Sequence, residues 1–270
     1  MCRVLEVSRS GYYDWLTRPE SLRSREDRRI LVHIRASHQK SRTYYGSPRI
    51  HEDLKEDGIQ VGRGRVARLM RVHGIRGKQK RRFQVTTDSN HPFPVPANLV
   101  QRDFSAPAPN RVWTGDITFL KTKEGWLYLA VLLDLFSRRV VGWSAGRWLD
   151  SDLPLAALRM ACRRRQPQAG CVHHSDQGKQ YASRAYQEVL EEHQFQGSMS
   201  RKGDCWDNAV TESFFATLKR ELLEGMPKMT RQEAILLLED YIEVFYNRQR
   251  RHSTLKFKSP VDFELARNAA

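Results

Sequence analysis

The period of the apolar positions changes along this chain, and the changes divide it. Within residues 21–40, Ile30, Leu31 and Ile34 recur at helical spacing amid charged positions. Ser47 is a good N-cap and Pro48 suits a first helical position, with Ile50 and Leu54 continuing the helical stripe until Gly58. A further helix fits Arg63 to His73, with Val66, Leu69 and Met70 inward and Gly74 as its stop. Two short helices with a tight connection read as a helix-turn-helix. Residues 1–20 read as a short helix, a turn at Ser10-Gly11 and an aromatic cluster of Tyr12, Tyr13 and Trp15. The chain opens at Met1 in what reads as mid-domain sequence, so a preceding polypeptide is expected.

From Val112 the period falls to two. Val112 to Lys121 alternates, Trp126 to Asp134 is almost continuously apolar, and Val140 to Ser144 is a third short run, with Lys123-Glu124-Gly125 and Ser137-Arg138-Arg139 as turns. Three consecutive strands with tight turns predict an antiparallel meander. Ser151 to Arg164 reads as a helix, Cys171 to Ser175 as a strand, Ser183 to His193 as a helix and Gly197 to Ser200 as a fifth strand. A helix starting near Glu212 follows, and residues 230–248 make a last long helix with Ala234, Leu237, Leu238, Tyr241, Ile242 and Phe245 as its stripe. The tail from Arg251 to Pro260 is expected to end the chain. The predicted fold is α/β: a mixed five-stranded sheet with flanking helices in ribonuclease-H-like order, preceded by a small all-α helix-turn-helix region.

Between these parts, residues 84–110 hold five prolines from Pro92 to Pro109 and no period, as an interdomain linker would. The expected division is an N-terminal helical segment over 1–45, the helix-turn-helix over 46–83, the Pro-rich linker over 84–110, a catalytic core over 111–225, and a C-terminal helix and tail over 226–270.

Charge separates the parts further. The net charge of +15 points to a polyanionic partner, because Lys and Arg that neutralise phosphates release condensed counterions. Residues 1–110 hold 22 Lys/Arg against 11 Asp/Glu, whereas 111–270 hold 24 against 20, so the front half is the expected binder. Nine of these cations, at 63, 65, 68, 71, 76, 78, 80, 81 and 82, lie in a stretch without an acid, unlike the mixed signs of a solvated helix face. Arg63, Arg65 and Arg68 are the expected groove-facing residues, Lys78, Lys80, Arg81 and Arg82 the phosphate contacts, and Arg71 a further DNA contact. The four cysteines show neither close pairing nor a zinc spacing and read as reduced thiols of a cytosolic protein. The longest apolar run, Trp126 to Leu133, is too short to span a bilayer, so no membrane partner is expected.

The candidate chemistry lies in three acids. Asp116 sits within the first strand on the face of Thr114 and Thr118, and Asp176 ends the fourth strand on the face of His174. Glu212, with 35 residues between it and Asp176, falls beside the helical stripe of Phe214, Phe215, Leu218 and Leu222, and Lys219 returns to nearly the same angle seven residues on. Such acids more often serve turns and helix starts, the roles expected for Asp134, Asp204 and Asp207, the last with Asn208 as a cap. Three carboxylates beside a basic module instead suit a magnesium site acting on phosphodiesters. His173 and His174 have no third ligand at a sensible spacing and read as packing groups, while Trp206 either stacks on a base or pins its loop.

Together with these acids, Tyr45-Gly46-Ser47-Pro48-Arg49-Ile50, Trp113, Asp116-Ile117-Thr118, Asp134-Leu135-Phe136-Ser137-Arg138, His174-Ser175-Asp176-Gln177-Gly178, Asp207-Asn208-Ala209, Glu212-Ser213-Phe214-Phe215 and Tyr246-Asn247 with Arg250 and His252-Ser253 form a specific set. Over nearly its whole length the chain resembles insertion-sequence transposases of the IS-three type, and within them the second-reading-frame product carrying the DDE integrase core. The resemblance implies Asp116, Asp176 and Glu212 as catalytic, metal-binding triad and Lys219 as the basic residue seven positions after the glutamate. It also implies fusion, by frameshifting, to a first-frame product with another helix-turn-helix and a coiled coil. One departure is Thr114-Gly115, where a bulkier pair such as Val-Thr is expected and where the strand would be loosened.

The expected reaction follows from that resemblance: metal-dependent cleavage and strand transfer at insertion-sequence DNA ends. Two Mg2+ ions are expected, with Mn2+ as a substitute, one held by Asp116 and Asp176 to activate water and one by Asp116 and Glu212 to stabilise the leaving 3′ oxygen. The expected partners are double-stranded DNA, as transposon ends and target, a second copy or higher oligomer, and the first-frame product, in a bacterial nucleoid. Two other readings stand beside it: a DNA-end-binding or regulatory protein idle without the upstream polypeptide, and a general nuclease cutting RNA in hybrids.

Overall fold

The computed structural model describes residues 2, 4, 6–78, 96–200, 208–223 and 227–268. Lys80, Arg81, Arg82, Asp204, Trp206 and Asp207, singled out by sequence, lie outside the described residues. The chain forms two compact units, Met1–Lys78 and Gln79–Ala270.

The first unit is all helical: α1 (Arg9–Thr17), α2 (Leu22–Lys40), α3 (Ser47–Glu56) and α4 (Arg63–Val72). The turn expected at Ser10-Gly11 is absent, because Ser8 caps α1 by accepting the Gly11 N–H and the helix runs through both residues. The α1 helix has no buried residue, whereas Ile34, Ile50, Leu54 and Val66 are fully buried among α2, α3 and α4. Each such side chain stabilises the unit by about 1.5–3 kcal/mol relative to exposure. Pro48 opens α3 as expected, but Gly46 rather than Ser47 occupies the cap position and no side chain caps it. The α3–α4 pair is the expected helix-turn-helix.

The second unit is built on five strands: β1 (Val112–Thr122), β2 (Gly125–Asp134), β3 (Val140–Gly146), β4 (Val172–Ser175) and β5 (Gln196–Met199). Their order across the sheet is β3-β2-β1-β4-β5, with the first three antiparallel and β1, β4 and β5 parallel. Helices α5 (Asp152–Arg165) and α6 (Arg184–Glu192) are the crossovers, and their Leu155, Leu158, Tyr186 and Leu190 share one core with Trp113, Ala130 and Leu132. Gly142 lets α5 lie close: a Cβ there would stand 2.2 Å from the Ala157 carbonyl oxygen. By alternation, Thr114 and Thr118 face the other way, where α7 (Ala209–Leu218) packs.

Beyond α7 the structure departs from a plain helix and tail. A π-helical turn, Lys219–Leu223, rotates Glu221 into the interior, and α8 (Arg231–Glu239) passes into a π-helical segment, Asp240–Tyr246. The expected tail ends in a further helix, α9 (Pro260–Asn268), whose Glu264 reaches the interior. The second half of the expected linker is not free chain: the Leu99 N–H donates to Ser198 Oγ, Val100 is buried, and the Asn110 N–H donates to Asp134. Among the described residues no helix is long and apolar enough to cross a membrane.

Candidate active site

The parallel register of β1 and β4 sets Thr114 opposite His174. Two residues on, Asp116 and Asp176 therefore leave the carboxyl ends of this parallel pairing side by side. Asp176 begins a turn in which its Oδ1 accepts the Gly178 N–H at 3.0 Å, and Asp116 Oδ1 accepts the Ile117 N–H at 2.7 Å. Asp116 retains a solvent opening, although protein crowds it on most sides. Burial, followed by the charge of Asp176, pushes the Asp116 carboxyl well above the ordinary carboxylate range; Glu212 adds a weaker push, and the Ile117 N–H and Lys219 offset part of it.

The third acid is positioned by a hydrogen-bonded pin that sequence reading missed. Thr114 Oγ1 donates to Asn208 Oδ1 at 2.7 Å and lies 3.0 Å from Thr211 Oγ1, so the start of α7 is fastened to β1 two residues before Asp116. Glu212, next to Thr211, is half-buried, and desolvation raises its pKa. Asn208 stands at the cap position, but its side chain serves this pin and makes no cap bond to the helix. The signal was available: Asn208 and Thr211 are three apart, on one helical face, and Thr114 shares a strand face with Asp116.

Lys219, at the end of α7, lies with its Nζ 5.0 Å above the centroid of Phe119 and within electrostatic reach of Asp116. Burial lowers its pKa and Asp116 opposes that shift. Gly115 does not loosen the strand, since β1 pairs with β2 without interruption from Trp113 to Thr122. A Cβ at Gly115 would stand 3.4 Å from His173 Nε2 and 3.6 Å from Tyr181 Cε1, in ordinary contact with two buried rings.

Those rings pack together on the Trp113 face of the sheet. His173 Nε2 is 2.8 Å from the Tyr186 hydroxyl, and burial drives the His173 pKa down to about 3, so the ring is neutral. His174 Nδ1 is 2.8 Å from Ser198 Oγ. Both histidines are packing groups. The Tyr181 hydroxyl is buried without a hydrogen-bond partner among the described residues, in reach of the charges of Asp116 and Asp176. Among the described residues, no three His, Cys, Asp or Glu side chains converge into a closed metal cage. Asp116 and Asp176 are the strongly interacting pair, with Glu212 at the edge.

In the first unit, the basic residues divide. Arg65 Nε donates to Asp27 Oδ1 at 2.7 Å and Arg65 also pairs with Glu26 at 2.8 Å, while Arg68 meets Asp27 Oδ2 at 2.5 Å. Arg68 and Arg65 together hold the Asp27 carboxyl below its usual range. Two of the three expected groove-facing arginines thus brace α4 against α2. Arg63 and Arg71 are exposed, and Lys78 Nζ lies 5.1 Å above the Tyr44 ring.

Comparison with known proteins matches this architecture. Residues 24–83 fit an HTH-like domain, and residues 106–205 and 193–260 fit two integrase core domain models. The chain is 46% identical to the insertion element IS600 uncharacterized 31 kDa protein of Shigella sonnei, over 97% of both chains. It is 42% identical to transposase InsF for insertion sequence IS3A of Escherichia coli (strain K12), over 98% of this chain and 92% of that one. Its fold is similar to a chain of the simian T-cell lymphotropic virus intasome solved with PP2A regulatory subunit B56 gamma, at TM-score 0.50 and 16% identity, covering 85% of this chain and 73% of that one. With an integrase core behind an HTH-like domain and full-length identity at this level, the chain belongs to the IS3 family of insertion-sequence transposases.

Proposed function

We propose that Asp116, Asp176 and Glu212 are the catalytic carboxylates of this transposase and that they hold Mg2+ while the enzyme cuts and joins insertion-sequence DNA ends. The observation that carries this reading is Asp116: its carboxyl is crowded by protein, driven upward by Asp176 and Glu212, and given one backbone N–H and a distant lysine in return. An arrangement of hard oxygen donors whose charges push on one another suits divalent cations. Asp116 and Asp176 would hold one ion and Asp116 and Glu212 a second; bound there, the ions supply Lewis-acid activation of the attacking oxygen and charge neutralisation at the leaving 3′ oxygen.

The protein's own groups do the positioning. The Thr114–Asn208–Thr211 pin fixes the approach of Glu212 to β1. Lys219 brings a cation to the rim of the cleft, where a DNA phosphate would lie. One phosphodiester is exchanged for another, so no nucleotide cofactor is needed. In the first unit, Arg63 and Arg71 are the DNA contacts favoured by exposure, with Arg65 and Arg68 engaged by Asp27. Joining requires two DNA ends to meet, so the working form is at least a dimer on DNA, with the first-frame product as a further partner.

The test is strand transfer on the element's own end DNA with Mg2+, comparing wild type with Asp116→Asn. Joining is expected to fall by about a thousandfold or more, the scale of removing transition-state charge stabilisation. Unchanged joining would overturn the assignment.

A further inference from the structure

The hairpin that follows Asp116 carries a surface that the acid site does not use. Phe119 and Trp126 are 37% and 46% exposed, with ring centroids 5.0 Å apart and planes at 80°. Trp126 pairs across the strands with Lys121, and Phe119 with Tyr128. Because side chains alternate along a strand, Phe119 and Lys121 project from the same face of β1, and their cross-strand partners join them there. Lys121 and Lys123 are exposed, and Lys219 Nζ sits 5.0 Å over the Phe119 ring while sensing the charge of Asp116. Lys219, over the Phe119 ring and in reach of Asp116, therefore links two exposed aromatic rings and Lys121 on one face of the hairpin to the proposed reaction centre on the other.

We propose that Phe119 and Trp126 form a stacking platform for an unpaired nucleobase of the DNA end next to the reacting phosphodiester, with Lys219 and Lys121 on the adjoining phosphates. The inference rests on the acid-cleft reading, because Lys219 links the platform to Asp116. An edge-to-face pair leaves an aromatic face open, and every base offers a π-face to it. The surrounding cations match a phosphate backbone and disfavour a second basic copy of this chain as the occupant. A base held out of the duplex would carry its phosphate toward the acids and free the strand end for attack.

The test uses the full chain and the element's terminal duplex carrying 2-aminopurine next to the terminal phosphodiester, with Ca2+ present so that no joining occurs. Wild type is expected to change the probe's fluorescence on binding as the base leaves the duplex and stacks. Trp126→Leu should abolish most of that change and weaken binding to an end with unpaired terminal nucleotides about tenfold, the scale of one lost stacking contact. Trp126→Phe should restore both, and binding to an end whose terminal pair is covalently crosslinked should be the same in all three proteins. An identical fluorescence change in Trp126→Leu overturns the platform. So does reduced self-association of Trp126→Leu in sedimentation with unchanged fluorescence, which would assign the rings to a protein interface. Failure of the acid-cleft reading shows separately, as undiminished joining by Asp116→Asn, because the fluorescence signal requires no chemistry.

Discussion

Two groups of buried acids in the second unit are treated in opposite ways. Glu221, turned inward by the π-helical turn after α7, meets Arg250 through two bonds of 2.7 and 2.8 Å and accepts the Tyr241 hydroxyl at 2.7 Å. Burial opposes the charge on Arg250, yet the bond and charge of Glu221, with Tyr241 and Tyr246, together outweigh it and keep the guanidinium more basic than usual. Glu264 on α9 is likewise pushed up by burial but held below its ordinary range by Arg165, Ser137 and Arg139. Asp116, on β1, has no such bonded cation among the described residues, and its pKa moves the other way. Glu221 and Glu264 are answered by cations of the chain, whereas Asp116 is pushed on by further acids.

Breaking one compensated pair gives the largest expected effect on stability. Arg250→Met leaves Glu221 buried without its cation and should lower unfolding free energy by about 3–5 kcal/mol in denaturant titration. The double variant with Glu221→Gln should recover much of that loss, since neither charge is then stranded. Equal stability of Arg250→Met and wild type would mean that the two acid groups do not differ as described.

A smaller effect comes from the buried rings beside Gly115. His173 is depressed to about 3 by burial against an ordinary value of 6.5, so its neutral form is the one that folds. Its contribution is therefore complete above pH 6.5 and is lost as pH falls toward its folded value. Between pH 6.5 and 5 the His173-dependent part should decline by about 2 kcal/mol, at roughly 1.4 kcal/mol per pH unit. Unfolding curves of wild type and His173→Phe across that range measure it, and parallel curves would contradict it.

The same contrast explains what the sequence made legible. Strand alternation and the apolar stripes located all five strands and helices α2 through α8, because those patterns are local, whereas the turn read at Ser10-Gly11 missed α1. The acids Asp116, Asp176 and Glu212 were visible as spacing, and the register of β1 with β4 places the first two together. The partners were not visible. Glu264 lies in a stretch read as tail, and its bonds to Ser137, Arg139 and Arg165 span 127, 125 and 99 positions. Arg65 and Arg68 looked free because Asp27 stands 38 and 41 residues upstream. Thr114, Asn208 and Thr211 had the right local spacing, yet only the packing of α7 on β1 joins them.

Direct measurement of cation binding tests the central claim, that Asp116, driven up by burial and by the charge of Asp176, is placed to receive divalent metal. Mn2+ titrated calorimetrically into metal-free protein should bind wild type and Glu264→Gln alike. Asp116→Asn should bind it at least about tenfold more weakly, since a ligand and its charge are removed together. Equal Mn2+ affinity in Asp116→Asn and wild type would contradict the account.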